Sequence, residues 1–206
     1  YSKDGRKLLA VPPELDGSYS IKEGTKIICD WAFYDYSSLS SLVIPDSITL
    51  IGEGAFMNCY SLKSLIIPDS VTSIGDRAFQ GCGSLKSLVI PASVANIKAD
   101  LFYEWYGELE CLSPYFICDN KVLFDKDKST IIAFKDKDTT SYVIPDYVTS
   151  IGNGAFGGCK SLKSIVISDS VTSIGDRAFQ ECSSLKSLVI PDSVASIGNE
   201  AFRGCR

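Results

Sequence analysis

One motif recurs along nearly the whole chain at a fixed period: Leu-x-x-Leu-x-Ile-Pro-Asp-Ser-Val-x-x-Ile-Gly-x-x-Ala-Phe-x-x-Cys. Its isoleucines fall at Ile28, Ile51, Ile74, Ile97, Ile151, Ile174 and Ile197, and its phenylalanines at Phe33, Phe56, Phe79, Phe102, Phe156, Phe179 and Phe202. Each step is 23 residues except one of 54, which is 23 plus 31. A unit this short cannot bury its own apolar face, so a period of this size means coils that stack on one another in a solenoid.

A larger period lies above the first. Residues 1–83 align without a gap with residues 124–206 at an offset of 123. The expected organisation is one solenoid over 1–206. It consists of a partial hairpin repeat (1–20), a first block of coils (21–112), a β-hairpin insertion (113–143) and a second block (144–206). In an ordinary coil, Leu65 and Ile67 alternate with Ser64 and Ile66, the period-two pattern of a strand. Pro68 ends that strand, because it has no amide to give to a ladder. Val71–Ile74 reads as a second short extended piece, Gly75 as the residue that permits the next bend, and Asp76–Phe79 as one helical turn. Between the blocks, Phe116–Phe124 and Thr130–Phe134 read as two arms of a hairpin, with the polar Asp125–Ser129 between them. The fold class expected is an α/β, strand-rich, right-handed repeat solenoid, with a parallel sheet on its concave face and that hairpin inserted.

The coils and the Val-Leu-Phe-Asp-Lys-Asp hairpin pattern closely resemble the BspA-like class of leucine-rich repeats over essentially all 206 residues. The resemblance implies a bacterial or protist protein, secreted or on the cell surface, that serves adhesion or protein–protein contact without catalysis. It transfers no site residues, since the class has no universal site motif.

The residues themselves narrow the chemistry. The absence of histidine removes Ser-His-Asp and Cys-His sites, imidazole zinc sites and the commonest neutral-pH base. No catalytic, cofactor or metal residues are expected. Asp125-x-Asp127-x-Ser129 lacks the Gly and the closing Glu of a calcium loop and reads as a turn. The net charge of −5 argues against nucleic acid as a partner. Asp125–Lys128 and Lys135–Asp138 alternate in sign, so they form no basic patch. No run approaches the roughly 18 apolar residues of a membrane span, so no membrane insertion is expected. No signal peptide is present. The chain starts at Tyr1 without Met and stops in mid-repeat, as a piece of a longer protein would. In such a piece, Ala201, Phe202 and Cys205 form a coil with no neighbour to cover it, and end-to-end self-association is expected.

Five of the eight cysteines (Cys59, Cys82, Cys159, Cys182 and Cys205) share one repeat position. Parallel, in-register side chains keep their Cβ atoms near 5 Å, too far apart for good disulfide geometry, so buried free thiols are expected. Cys29 stands in the motif Gly position and is expected to pack as well, while Cys111 and Cys118 lie off the pattern and could pair. The aromatic group Phe102, Tyr103, Trp105, Tyr106, Tyr115 and Phe116 sits where the repeat degenerates. It either fills the space between coil and hairpin or forms a contact patch.

If Leu65 and Ile67 point inward, their alternates point outward. This gives a row of Val43, Ile66, Val89, Leu112, Val166 and Val189, edged by Lys63, Lys86, Lys163 and Lys186. β propensity alone favours Val at such positions, yet a solvent-facing strand could equally use Thr. The row is therefore the candidate ligand-binding surface, suited to a protein or glycoprotein with an acidic rim. The expected function is a non-enzymatic protein-binding or adhesion module. The alternative is a passive spacer, whose exposed strand positions would be uniformly polar.

Overall fold

The computed structural model describes residues 1–12, 17–98 and 100–205. The part of the expected 1–20 repeat formed by residues 13–16 lies outside the described residues. The chain divides into two compact units, Tyr1–Tyr115 and Phe116–Arg206. The first contains β1 (Lys7–Leu8), β2 (Gly17–Ser20), β3 (Ile27–Ile28), β4 (Leu39–Val43), β5 (Leu50–Ile51), β6 (Ser73–Ile74), β7 (Ser87–Ile90), β8 (Asn96–Ile97) and β9 (Glu108–Cys111). The second contains β10 (Phe116–Asp119), β11 (Val122–Asp125), β12 (Thr130–Phe134), β13 (Ser141–Val143), β14 (Ser150–Ile151), β15 (Ser164–Val166), β16 (Ser173–Ile174) and β17 (Ser196–Ile197).

Each unit is a strand-rich stack of coils with parallel sheets, and the longest ladder is not the one the sequence suggests. It runs through the short isoleucine strands. In the first unit Leu8, Ile28, Ile51, Ile74 and Ile97 stand in register along β1-β3-β5-β6-β8. In the second, Ile131, Ile151, Ile174 and Ile197 do so along β12-β14-β16-β17. The Leu-x-x-Leu strands, expected to form the main sheet, pair only two by two: β2 with β4, β7 with β9 and β13 with β15. Ser64–Ile67 and Ser187–Ile190 do not enter a strand ladder.

The α/β expectation also gives way, because no helix occurs among the described residues. The segment after each glycine is a run of β-turns in which alternate amides serve different partners. Within one coil, Ala55, Met57 and Cys59 donate to Gly52, Gly54 and Phe56 carbonyls. The intervening Gly54, Phe56 and Asn58 donate to Asp76, Ala78 and Gln80 of the next coil. Left-handed residues at Gly54 (φ 55°), Asn58 (φ 63°) and Arg77 (φ 55°) reverse the direction of successive peptides. A right-handed helix cannot hold such residues, and it would aim every amide along one axis. The alternation is what lets one turn both close on itself and bond to its neighbour.

The hairpin region differs from its expected form in two ways. Phe116–Phe124 is not one extended arm, because the chain reverses at Asn120 (φ 46°) and Lys121 (φ 64°), two left-handed residues in succession as a tight hairpin turn requires. β10, β11 and β12 are therefore three antiparallel strands. β12 then pairs in parallel with β14, Ile131 opposite Ile151, so its last strand is itself the first rung of the second unit's ladder.

The core consists of columns. Phe33, Phe56, Phe79 and Phe102 stack at centroid distances of 5.4, 5.8 and 6.5 Å. Phe134, Phe156, Phe179 and Phe202 stack at 4.9, 5.1 and 5.4 Å. Offset-stacked rings at this spacing are favourable beyond the area they bury. The motif glycine has a different task from the bend assigned to it. At Gly75 the backbone is not left-handed; instead, a Cβ there would lie 2.5 Å from the Glu53 amide nitrogen and 2.6 Å from the Gly52 carbonyl carbon. The coils approach so closely that only hydrogen fits. Gly75→Ala is expected to lower stability by about 1–3 kcal/mol through forced separation of two coils, read as a lower urea midpoint. An unchanged midpoint would show that the coils have slack.

Candidate ligand-binding surface

The expected outward row is exposed in both units. In the first, Val43, Ile66 and Val89 face solvent, with Ile66 83% exposed, while Leu42, Leu65, Leu88 and Ile90 beside them are buried. In the second, Val166 and Val189 face solvent, Val189 at 82%. Lys63, Lys86, Lys163 and Lys186 are exposed at the start of the same segments.

One member of the row is misplaced. β9 pairs with β7 at a step of 21 residues, Leu88 opposite Leu109 and Val89 opposite Glu110. Glu110 therefore stands beside Val89 where Leu112 was expected. Leu112 is exposed beyond the strand, and its amide donates to the Ile90 carbonyl at 2.9 Å. The degenerate coil is two residues short, and the 23-residue period carried the assignment past it. One member was missed. Val143 pairs directly with Val166 and is exposed, so the second unit's row is Val143, Val166 and Val189. The same 23-residue step back from Val166 finds it.

Along the segments that carry Val166 and Val189 the row has two unlike margins. In the second unit a cationic margin, Lys163 and Lys186, precedes the exposed Ser164 and Ser187. After the valines come the exposed Asp146, Asp169 and Asp192. Ser164, Val166, Asp169, Ser187, Val189 and Asp192 line one groove of about 550 Å³. Ser168 donates to Asp146 at 2.8 Å across neighbouring coils. In the first unit one coil keeps the whole order (Lys63, Ile66, Asp69), while Ser40 replaces the lysine before Val43 and Asp46, Ala92 replaces the aspartate after Val89, and Glu110 enters the row.

The other candidates resolve structurally. Trp105 is buried against Phe102 at 5.1 Å, and its indole N–H donates to the Leu85 carbonyl at 2.6 Å. It fills the core of the degenerate coil, and of its group only Tyr115 is largely exposed. Sequence reasoning passed over Trp31 and Tyr34, which are exposed and edge-to-face at 5.7 Å. A Trp where the equivalent positions hold Gly54 or Arg77 was the available signal.

None of the eight cysteines is joined in a disulfide, Cys111 and Cys118 included. Column members do more than pack: the thiols of Cys59, Cys82, Cys182 and Cys205 lie 3.1–3.2 Å from the carbonyls of Phe33, Phe56, Phe156 and Phe179, each in the preceding coil. Burial pushes Cys82 and Cys159 up to about 12 and raises Cys59 and Cys182 as well. These are protonated, unreactive thiols. Lys135 is buried too, and burial holds its ammonium well below the usual lysine range. Among the described residues no group of three or more His, Cys, Asp or Glu could hold a metal ion, and no helix is long and apolar enough to cross a membrane.

The BspA type leucine-rich repeat region model matches residues 17–112 and 131–206 in six copies, and the chain belongs to that family. The second match begins at β12, in agreement with its place as the first rung of a ladder. Among solved structures, a leucine-rich repeat protein from Eubacterium ventriosum is 25% identical with a TM-score of 0.73, over 92% of this chain and 57% of that one. A leucine-rich cell surface protein from Faecalibacterium prausnitzii is 25% identical with a TM-score of 0.55, over 92% and 70%. The pneumococcal vaccine antigen PcpA, at 20% identity and a TM-score of 0.71 over 92% and 60%, shares the fold. The chain thus spans little more than half of the E. ventriosum protein. No curated protein sequence matches it.

Proposed function

We propose that this chain is a non-enzymatic protein-binding or adhesion module of a cell-surface or secreted protein, and that it holds a protein or glycoprotein ligand on its exposed aliphatic rows. The observation that carries this reading is the exposure of Val43, Ile66, Val89, Val143, Val166 and Val189. A spacer meets only water and gains nothing from aliphatic side chains at positions where Ser or Thr would serve. Contiguous apolar surface rimmed by charge is the usual mark of a contact site. Lys63 and Lys86, or Lys163 and Lys186, supply one charged rim, which sets partner choice and encounter rate more than final affinity. Membership of a leucine-rich repeat family supports the binding role, and the F. prausnitzii neighbour supports placement at the cell surface.

The test is an array of purified extracellular-matrix proteins and serum glycoproteins probed with the whole chain, repeated with Ile66→Thr/Val89→Thr and with Lys63→Glu/Lys86→Glu. For a partner bound on the first unit's row, the double Thr variant is expected to weaken binding about tenfold or more while the thermal midpoint is unchanged. Wild-type affinity in both folded variants removes that row as the site. An array with no bound protein favours the spacer.

A further inference from the structure

The second unit's row has a property that an acidic-rimmed ligand would not satisfy. Its lysine margin would welcome such a ligand, but Asp146, Asp169 and Asp192 on the other side would repel it. A matching partner needs acid along one edge, base along the other and aliphatic side chains between. The chain itself carries that pattern. We propose that this face pairs with the same face of a second copy, related by a two-fold axis parallel to the direction in which the coils stack. This deepens, and rests on, the reading of the exposed rows as binding surfaces.

The geometry selects one of two possible dimers. Turning a copy over about the stacking direction exchanges its left and right margins. Lys163 and Lys186 of each copy then face the aspartate margin of the other, and Val143, Val166 and Val189 meet their equivalents. Turning it over about the strand direction leaves the margins unexchanged and sets lysine against lysine. The first arrangement is isologous, each contact occurring twice, and is attractive at both edges. The second is repulsive at both. Two sheet faces pack about 10 Å apart, a gap that the exposed aliphatic side chains can fill from both sides and that the lysines can span.

The contact is small. Three coils at about 4.8 Å and seven residues at about 3.3 Å give a patch of roughly 14 by 23 Å, well below the approximately 800 Å² per partner of a standard interface. A single contact is therefore weak. It becomes effective where many copies face each other, as on apposed surfaces, through avidity.

Charge exchange tests this on the whole chain by sedimentation velocity at concentrations up to about 1 mM. Wild type is expected to self-associate, less so as salt rises from about 50 to about 500 mM. Lys163→Glu/Lys186→Glu turns both margins acidic, and Asp169→Lys/Asp192→Lys turns both basic. Each variant alone is expected to associate about tenfold more weakly or not at all, and an equimolar mixture of the two to regain wild-type association. All four positions are exposed, and circular dichroism confirms that each variant is folded. Association unchanged in both variants places the contact elsewhere, as end-to-end stacking would, and overturns the proposal. So does a mixture that fails to recover, or a wild type monomeric throughout. If wild type is monomeric but Val166→Thr/Val189→Thr weakens binding to a protein found on the array, self-pairing fails while the rows remain binding surfaces.

Discussion

Phe79→Ala is expected to lower the unfolding free energy by about 3–5 kcal/mol. The ring is fully buried and lies between Phe56 at 5.8 Å and Phe102 at 6.5 Å. Truncation loses its burial and opens a cavity, and the cavity cannot collapse because the inter-coil hydrogen bonds fix the stacking distance. Phe56 donates its amide to Ala78, and Phe79 donates its own to Leu101, so the backbone on both sides holds its place. The loss is shared between coils: Phe56→Ala combined with Phe79→Ala should cost an amount that is not the sum of the singles, since the two rings touch. Ile66→Thr, on the exposed row, is the control and should move stability by no more than about 0.5 kcal/mol. Urea denaturation of the four variants (each single phenylalanine change, the double and Ile66→Thr) measures all of this. A Phe79→Ala protein as stable as wild type would mean that the phenylalanine column does not bear on the stack.

Much of this column was legible because it depends only on period. A residue every 23 positions in a stacked coil must meet its equivalent, so Ile28, Ile51 and Ile74, or Phe33, Phe56 and Phe79, could be placed without coordinates. What was not legible depends on backbone direction. Asp76–Phe79 has the composition of a helical turn. Only the left-handed Arg77, a residue with no intrinsic preference for that conformation, shows that alternate amides point to the next coil. The task of Gly75 was misread for a related reason, since a sequence shows that Cβ is absent but not whether the cause is dihedral or contact. The rank of the two strands was inverted as well. Leu62–Ile67 looks the better strand by length and alternation, yet Val71–Ile74, two residues of which form a strand, carries the continuous ladder. On the candidate surface, period placed five of six apolar members and failed at Leu112, where the coil is two residues short. Its second, aspartate margin is concealed, because Pro-Asp-Ser explains itself locally as a turn and so hides that the same Asp borders the valine groove.

Stability is expected to fall steeply above about pH 8.5. Cys59, Cys82, Cys159 and Cys182 are buried, and burial raises each thiol, Cys82 and Cys159 to about 12. In the unfolded chain each returns to about 8.5. Between the two values the unfolded state has lost a proton that the folded state keeps, so unfolding gains on folding as pH rises. The contribution is fully present below about pH 8.5 and is lost toward about 12. Each thiol is worth about 1.4 kcal/mol per pH unit in that window. The buried Lys135 acts oppositely: its folded value is depressed, so below about 10.4 the unfolded state holds the extra proton and stability rises with pH. The buried thiols outnumber the lysine, so on balance stability falls as pH rises above about 8.5. Urea midpoints at pH 7, 8, 9 and 10 measure the slope. Cys82→Ala should make it shallower by one thiol's share, whatever that substitution does to stability at pH 7, and Lys135→Met should make it steeper. The thiol column and the lysine thus pull a single titration in opposite, separable directions. A midpoint flat from pH 8 to pH 10 would mean that the cysteines are not held protonated in the folded stack.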